Sequence, residues 1–150
     1  MSLHTARVRW SSDGTFSSAG YSRDHEVTTG SGVILAGTSA PQFGGAADRA
    51  NPEELLVAAV SSCHMLTFLA LCARRGHVVL SYTDDAAGEL GRNAAGRTAI
   101  TKVTLRPSIR FEGEGPSAEQ LDVLHHKAHE HCFIAQTLAC TVETMSPSPA

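Results

Sequence analysis

Two of the four cysteines, Cys63 and Cys132, stand out by their company. Cys63 lies in NPEELLVAAVSSCHMLTFLAL, beside Ser61, Ser62 and His64 in an otherwise apolar run. Cys132 ends SAEQLDVLHHKAHEHC, a segment that carries four histidines. Neither belongs to a CxxC pair or other metal-ribbon spacing. Two thiols remote in sequence suit a nucleophile and a resolving thiol better than a structural site. The competing account is a pair of buried, inert thiols, since free cysteine is among the most buried residue types. A thiolate in the middle of a helix gains nothing from the helix N-terminus and needs a nearby cation. His64 follows Cys63 directly and so points ~100° away on a helix, which makes an arginine from elsewhere the better activator. Cys72 and Cys140 have no polar neighbours and read as core.

The histidines invite a metal reading. His125 and His129 are four apart and share a face with Cys132, enough for three ligands. The run matches neither HExxH nor HxxEH, however, and no second cluster offers a fourth ligand. No metal is expected; the histidines are expected to pair with Glu130 or with solvent. No GxGxxG follows a strand, and neither a P-loop nor a GxSxG elbow is present.

The elements that must position the two thiols are helices. Asn51 suits an N-cap, Pro52 the first helical position, and Glu54 can close a capping box. Gly76 after Arg74 and Arg75 ends the helix, with basic residues at the negative end of its dipole. The segment Pro52 to Arg75 is therefore predicted as one helix of ~36 Å. Its uncharged 19-residue run from Leu55 to Ala73 is long enough for a marginal membrane span. Ser61, Ser62, Cys63 and His64 in the middle of that run argue instead for a core helix. A helix apolar nearly all round must be covered on nearly all sides, which a lone chain of this size struggles to do. A second subunit is expected.

Ser117 and Gln120 form a second capping-box signature, and Leu121, Leu124, Ala128 and Cys132 fall on one stripe. Strands are predicted at His4 to Trp10, Thr15 to Tyr21, Glu26 to Leu35, Val78 to Leu90, Thr98 to Phe111 and Leu138 to Met145, with loop from Ala36 to Ala50. Pro107 suggests an edge or bulge. A Ser-Pro tail closes the chain. The order βββ-α-ββ-α-β is α+β, with antiparallel pairing expected.

At 150 residues the chain is expected to be one domain, residues 1–150. Its 42% apolar and 18% charged content is that of an ordinary soluble protein. A net charge of −3 argues against nucleic acid or an anionic membrane as partner. MSLHTARVRW turns polar too early for a signal peptide, so a reducing cytoplasm is the expected location.

NPEELLVAAVSSC resembles the motif of the OsmC/Ohr family (osmotically inducible protein C and organic hydroperoxide resistance proteins), in which an Asn-Pro-Glu helix start precedes a cysteine. The family's second cysteine, on a later helix, matches Cys132 in AHEHCFIAQ, and the similarity extends over nearly the whole chain. The resemblance implies an OsmC-like α+β fold, with antiparallel sheets around two long central helices in an intertwined homodimer. It implies an organic hydroperoxide reductase with Cys63 peroxidatic, Cys132 resolving, and Glu53 and an arginine organising the thiolate. Arg23 in YSRDHE takes that place by the spacing of Ohr-type members, with Arg49 as the fallback. No bound cofactor is implied, only an external dithiol reductant such as a lipoyl group. Two positions depart from the family pattern: His64, where an apolar residue is usual, and Phe133, where a proline is. Apolar side chains such as Leu55, Phe68 and Phe133 would favour an alkyl hydroperoxide over hydrogen peroxide. The alternative is a diverged non-peroxidase member that acts as a thiol or metal sensor or as a small-ligand binding module. Glu53 and Cys63 are ten residues apart, ~15 Å along one helix, so a shared site needs an antiparallel partner helix.

Overall fold

A computed structural model describes residues 1–145; the Ser-Pro tail, residues 146–150, lies outside the described residues. The chain divides into two compact units, one ending at Leu55 and the other starting at Leu56.

In the first unit, β1 (Ala6–Arg9), β4 (His25–Thr29) and β5 (Ile34–Gly37) form an antiparallel sheet in the order β1-β4-β5. Between β1 and β4, β2 (Phe16–Ser17) and β3 (Gly20–Tyr21) pair only with each other. The single strand predicted from Glu26 to Leu35 is instead a hairpin. Gly32, at φ 89°, makes the reversal with its N–H donating to the Thr29 carbonyl at 2.9 Å, a conformation glycine adopts without a Cβ clash. The predicted loop holds a short 3-10 turn, Pro41–Phe43.

The long helix α1 spans Pro52–Arg74. Its start is the predicted capping box. Asn51 Oδ1 accepts from the Glu54 N–H at 2.9 Å, and Glu54 Oε2 accepts from the Asn51 N–H at 3.1 Å. Its end is a Schellman turn. Gly76 stands at φ 77°, the His77 N–H donates to the Cys72 carbonyl at 3.0 Å, and the Gly76 N–H donates to that of Ala73 at 3.2 Å.

In the second unit, β6 (Val79–Asp84) pairs with β9 (Pro107–Phe111), and β7 (Ala87–Arg92) pairs with β8 (Thr98–Leu105), both antiparallel. Each of the two long strands predicted here is thus broken in two. Asp84 anchors both breaks, accepting from the Arg106 N–H at 2.6 Å and from the Ser61 hydroxyl. Helix α2 (Ala118–His131) opens on the predicted Ser117–Gln120 capping box. The short helix α3 (Phe133–Thr137) follows, and β10 (Thr141–Thr144) closes the described chain.

One expectation fails outright: β10 runs parallel to β8, not antiparallel. A parallel neighbour requires a long crossover, and α2 with α3 supplies it.

The core of this unit has two parts. Phe68 and Cys72 of α1 meet Leu124 and Ala128 of α2, with Tyr82, Ile109 and Phe111 packed beside them. Val60 meets Val103 and Leu105 of β8, joined by Ile134, Leu138 and Val142. Gly88 of β7 lets α1 approach closely, since a Cβ there would lie 2.6 Å from Val57. The buried residues of α1 are Val60, His64, Phe68 and Cys72, a single stripe at intervals of four. Only 22% of the most apolar 18 residues of this helix is buried within the chain. The all-round burial expected of α1 is therefore not achieved by one chain.

Candidate functional site

The second unit brings the two thiols together. Cys132 is fully buried and lies at the joint of two helices, ending α2 and capping α3. Its sulfur accepts from the Ala135 N–H at 3.4 Å, and its own N–H donates to the His129 carbonyl at 3.3 Å. Its thiol also neighbours and interacts with that of Cys63, one turn along α1 from the buried Val60. Burial first, and the hydrogen bond to Cys63 second, push the Cys132 thiol up to about 11. At neutral pH Cys132 therefore keeps its proton, and Cys63, partly exposed, is the sulfur open to an incoming molecule. All four cysteines are free thiols.

A polar seam lies along the same interface. His64 Nε2 and His125 Nδ1 are 3.1 Å apart, with the rings stacked at 5.4 Å, and His125 stacks in turn on Phe68 at 4.5 Å. Both imidazoles are nearly inaccessible, His64 at 1% and His125 at 5%. Burial first drives each down to about 4; His125 and His129 add to the effect at His64, while Asp122 and Asp84 oppose it at His125. Both rings are thus neutral near pH 7, so one nitrogen of the pair donates and the other accepts. The sequence reading missed this pair. The signal was the position of His64 on the Val60, Phe68, Cys72 stripe and of His125 beside Leu124.

Of the other histidines on α2, His129 departs from the plainer reading, its Nδ1 being buried with no hydrogen-bond partner. His126 pairs with Glu130 at 3.4 Å on an exposed face. Among the described residues no group of three or more His, Cys, Asp or Glu is arranged to hold a metal, so His125, His129 and Cys132 are not a ligand set.

The remaining site candidates belong to the first unit. Arg23 donates from Nη1 to the Tyr21 carbonyl at 2.9 Å, and its guanidinium carbon lies 4.6 Å from the centre of the Tyr21 ring. No carboxylate pairs with Arg23 among the described residues, whereas Arg49 is bound to Asp24 at 3.2 Å. Glu53, in the first turn of α1, has one carboxylate oxygen, Oε2, buried with no hydrogen-bond partner. Because α1 is unbroken, the ~15 Å axial offset of Glu53 from Cys63 stands. Phe68 belongs to the core, fully buried against Leu124, and is no part of a substrate wall; Phe133 is 81% exposed.

The OsmC-like protein family model matches residues 45–145. The chain belongs to that family. An OsmC-like protein of unknown function from Vibrio cholerae is 41% identical, with a TM-score of 0.93 over 97% of this chain and 99% of that one. An organic hydroperoxide resistance protein from Elizabethkingia anophelis is 23% identical, with a TM-score of 0.74 over 99% and 98% of the two chains. One from Legionella pneumophila is 18% identical, at 0.73 over 97% and 98%. These last two share the fold. No curated protein matches the chain.

The two neutral imidazoles make stability depend on pH. In the unfolded chain each histidine takes up a proton near pH 6.5, while in the fold neither does until about pH 4. Between those values the unfolded state binds more protons, so stability is complete above the upper value and falls as the pH drops through the window. Denaturant unfolding at a series of pH values should show this fall, and His64→Leu should lessen its slope by about one proton. An unchanged slope in the variant would show that His64 titrates normally in the fold.

Proposed function

We propose that this protein is a thiol-dependent peroxidase that reduces organic hydroperoxides to alcohols through Cys63 and Cys132. The observation that carries the reading is the proximity of these two thiols, 69 positions apart in the sequence. The Cys63 thiolate attacks the distal peroxide oxygen; the O–O bond breaks, the alcohol leaves with one proton, and Cys63 becomes a sulfenic acid. The Cys132 thiol, held protonated in the resting site, gives up its proton as its sulfur displaces hydroxide from Cys63. A disulfide and water result. An external dithiol, such as a lipoyl group, then reduces the disulfide by exchange and is itself oxidised. The protein works in the cytoplasm, whose reducing poise keeps such a dithiol available.

Arg23 supplies the cation and Glu53 fixes its guanidinium by the fork geometry that arginine makes with carboxylates. Two observations support these roles: among the described residues Arg23 has no carboxylate partner while Arg49 has Asp24, and Glu53 keeps a buried oxygen unsatisfied. A buried carboxylate oxygen without a partner is costly, so a donor from outside the chain is expected. The working form is a homodimer in which α1 of a second copy runs antiparallel and brings its Glu53 to Cys63. The exposed apolar side of α1, with Leu66 at 60%, supports this arrangement.

Cys63→Ser should reduce hydroperoxide turnover to background. Cys132→Ser should release one alcohol per subunit and then stop; steady turnover by Cys63→Ser refutes the reading. Sedimentation equilibrium should give twice the chain mass of 15.8 kDa. A monomer at micromolar concentration would remove the Glu53 arrangement.

A further inference from the structure

The pair of His64 and His125 is costly where it stands, and the thiol chemistry leaves it unused. His125 Nε2 is buried with no hydrogen-bond partner, and so is His129 Nδ1 one turn further along α2. Each orphaned nitrogen has given up its hydrogen bonds to water. Two apolar side chains of similar size would fill the same space without that penalty. Such a replacement of both members of a buried polar pair can be neutral or stabilising. Stability therefore does not account for the pair. A polar contact buried among apolar side chains can instead fix the register of two helices.

The apolar part of the same contact is poorly suited to that task. Phe68 and Cys72 meet Leu124 and Ala128, and attraction of this kind is non-directional, so a slight slide weakens it only gradually. The hydrogen bond between His64 Nε2 and His125 Nδ1 is directional and stands at 3.1 Å; by about 3.6 Å such a bond is gone. His125 also stacks on Phe68 and is only 5% exposed, which leaves its ring little freedom to swing and follow. Both thiols are tied to these rings by short stretches of helix. His64 directly follows Cys63 in α1. Cys132 comes seven residues after His125, two turns on and within ~20° of the same face. The placement of the imidazoles thus sets the placement of the sulfurs. A disulfide tolerates only a narrow range of geometry, whereas attack on a freely diffusing peroxide does not need Cys132 in place.

We propose that His64 and His125 are positioning residues for the resolving step: their hydrogen bond sets α1 on α2 so that Cys132 reaches the oxidised Cys63 before a second peroxide does. The inference rests on the peroxidase reading. Two events compete for the sulfenic acid at Cys63. In closure, the Cys132 sulfur displaces hydroxide, which leaves as water with the Cys132 proton. In over-oxidation, a second hydroperoxide passes one oxygen to the Cys63 sulfur and leaves as the alcohol, and Cys63 becomes a sulfinic acid. The imidazole pair tilts this competition towards closure.

Mass spectrometry after turnover with excess cumene hydroperoxide and a dithiol reads the competition as sulfinic acid at Cys63 per alcohol released. The double variant His64→Leu, His125→Phe should keep or raise its unfolding midpoint and yet over-oxidise roughly tenfold more often. His64→Gln, whose side-chain amide can stand where Nε2 does and bond to His125, should over-oxidise like the native protein even if less stable. Stability and closure then part company, which a merely structural pair would not allow. Native partitioning in the double variant, or partitioning in His64→Gln equal to that of the double variant, overturns the proposal. So does a double variant that fails to fold, because stability then accounts for the pair. Diamide separates this proposal from the reading beneath it, since it closes thiol pairs without a peroxide by taking up their two electrons and two protons. No consumption of hydroperoxide by the native protein sinks the peroxidase reading. Closure of Cys63 with Cys132 by diamide that is still roughly tenfold slower in the double variant supports the positioning on its own, and an equal rate overturns it.

Discussion

One contact governs the chemistry available to this chain: the Cys132 thiol against that of Cys63, at the junction of α1 with α2 and α3. The contact exists because Phe68 and Cys72 of α1 pack against Leu124 and Ala128 of α2, fixing how the two helices face each other. Cys132 falls where α2 ends and α3 begins, so the backbone of α3 donates to its sulfur while α1 supplies the other sulfur. Burial keeps the proton on Cys132. The two thiols differ in exposure, Cys132 buried and Cys63 partly exposed, and the proposed division into nucleophile and resolving thiol rests on that difference.

The stacked His64 and His125 lie along the same helix pair and serve as a polar rivet in an apolar seam. A neutral imidazole pair fills the space of two large apolar residues and still satisfies one nitrogen of each ring. The arrangement holds only while both rings stay uncharged, which ties the geometry of the interface to pH. His125 Nε2 is buried with no hydrogen-bond partner, a local cost borne inside this seam.

Much of this was legible in the chain because it is written locally. Asn51, Pro52 and Glu54 mark one helix start, Ser117 and Gln120 another, and Gly76 an end, each through a hydrogen bond within a few residues. Cys63 and Cys132 could be singled out by their polar neighbours and by their likeness to a family motif. What the sequence hid depends on partners far away. The breaks after β6 and β8 are anchored by Asp84, whose partners Ser61 and Arg106 are 23 and 22 positions off. Strand β10 is parallel because of a crossover whose hand and length no alternation pattern records. His64 looked like a polar intruder in an apolar run, since its mate lies 61 residues on. Helix α1 announced a need for covering that one chain does not meet.

The most direct test is the intact mass of the reduced protein before and after one equivalent of cumene hydroperoxide, with peptide mapping. The account predicts a loss of two hydrogens per chain, located in a disulfide between Cys63 and Cys132. An unchanged mass, or a stable added oxygen on Cys63 with Cys132 still a free thiol, would contradict it.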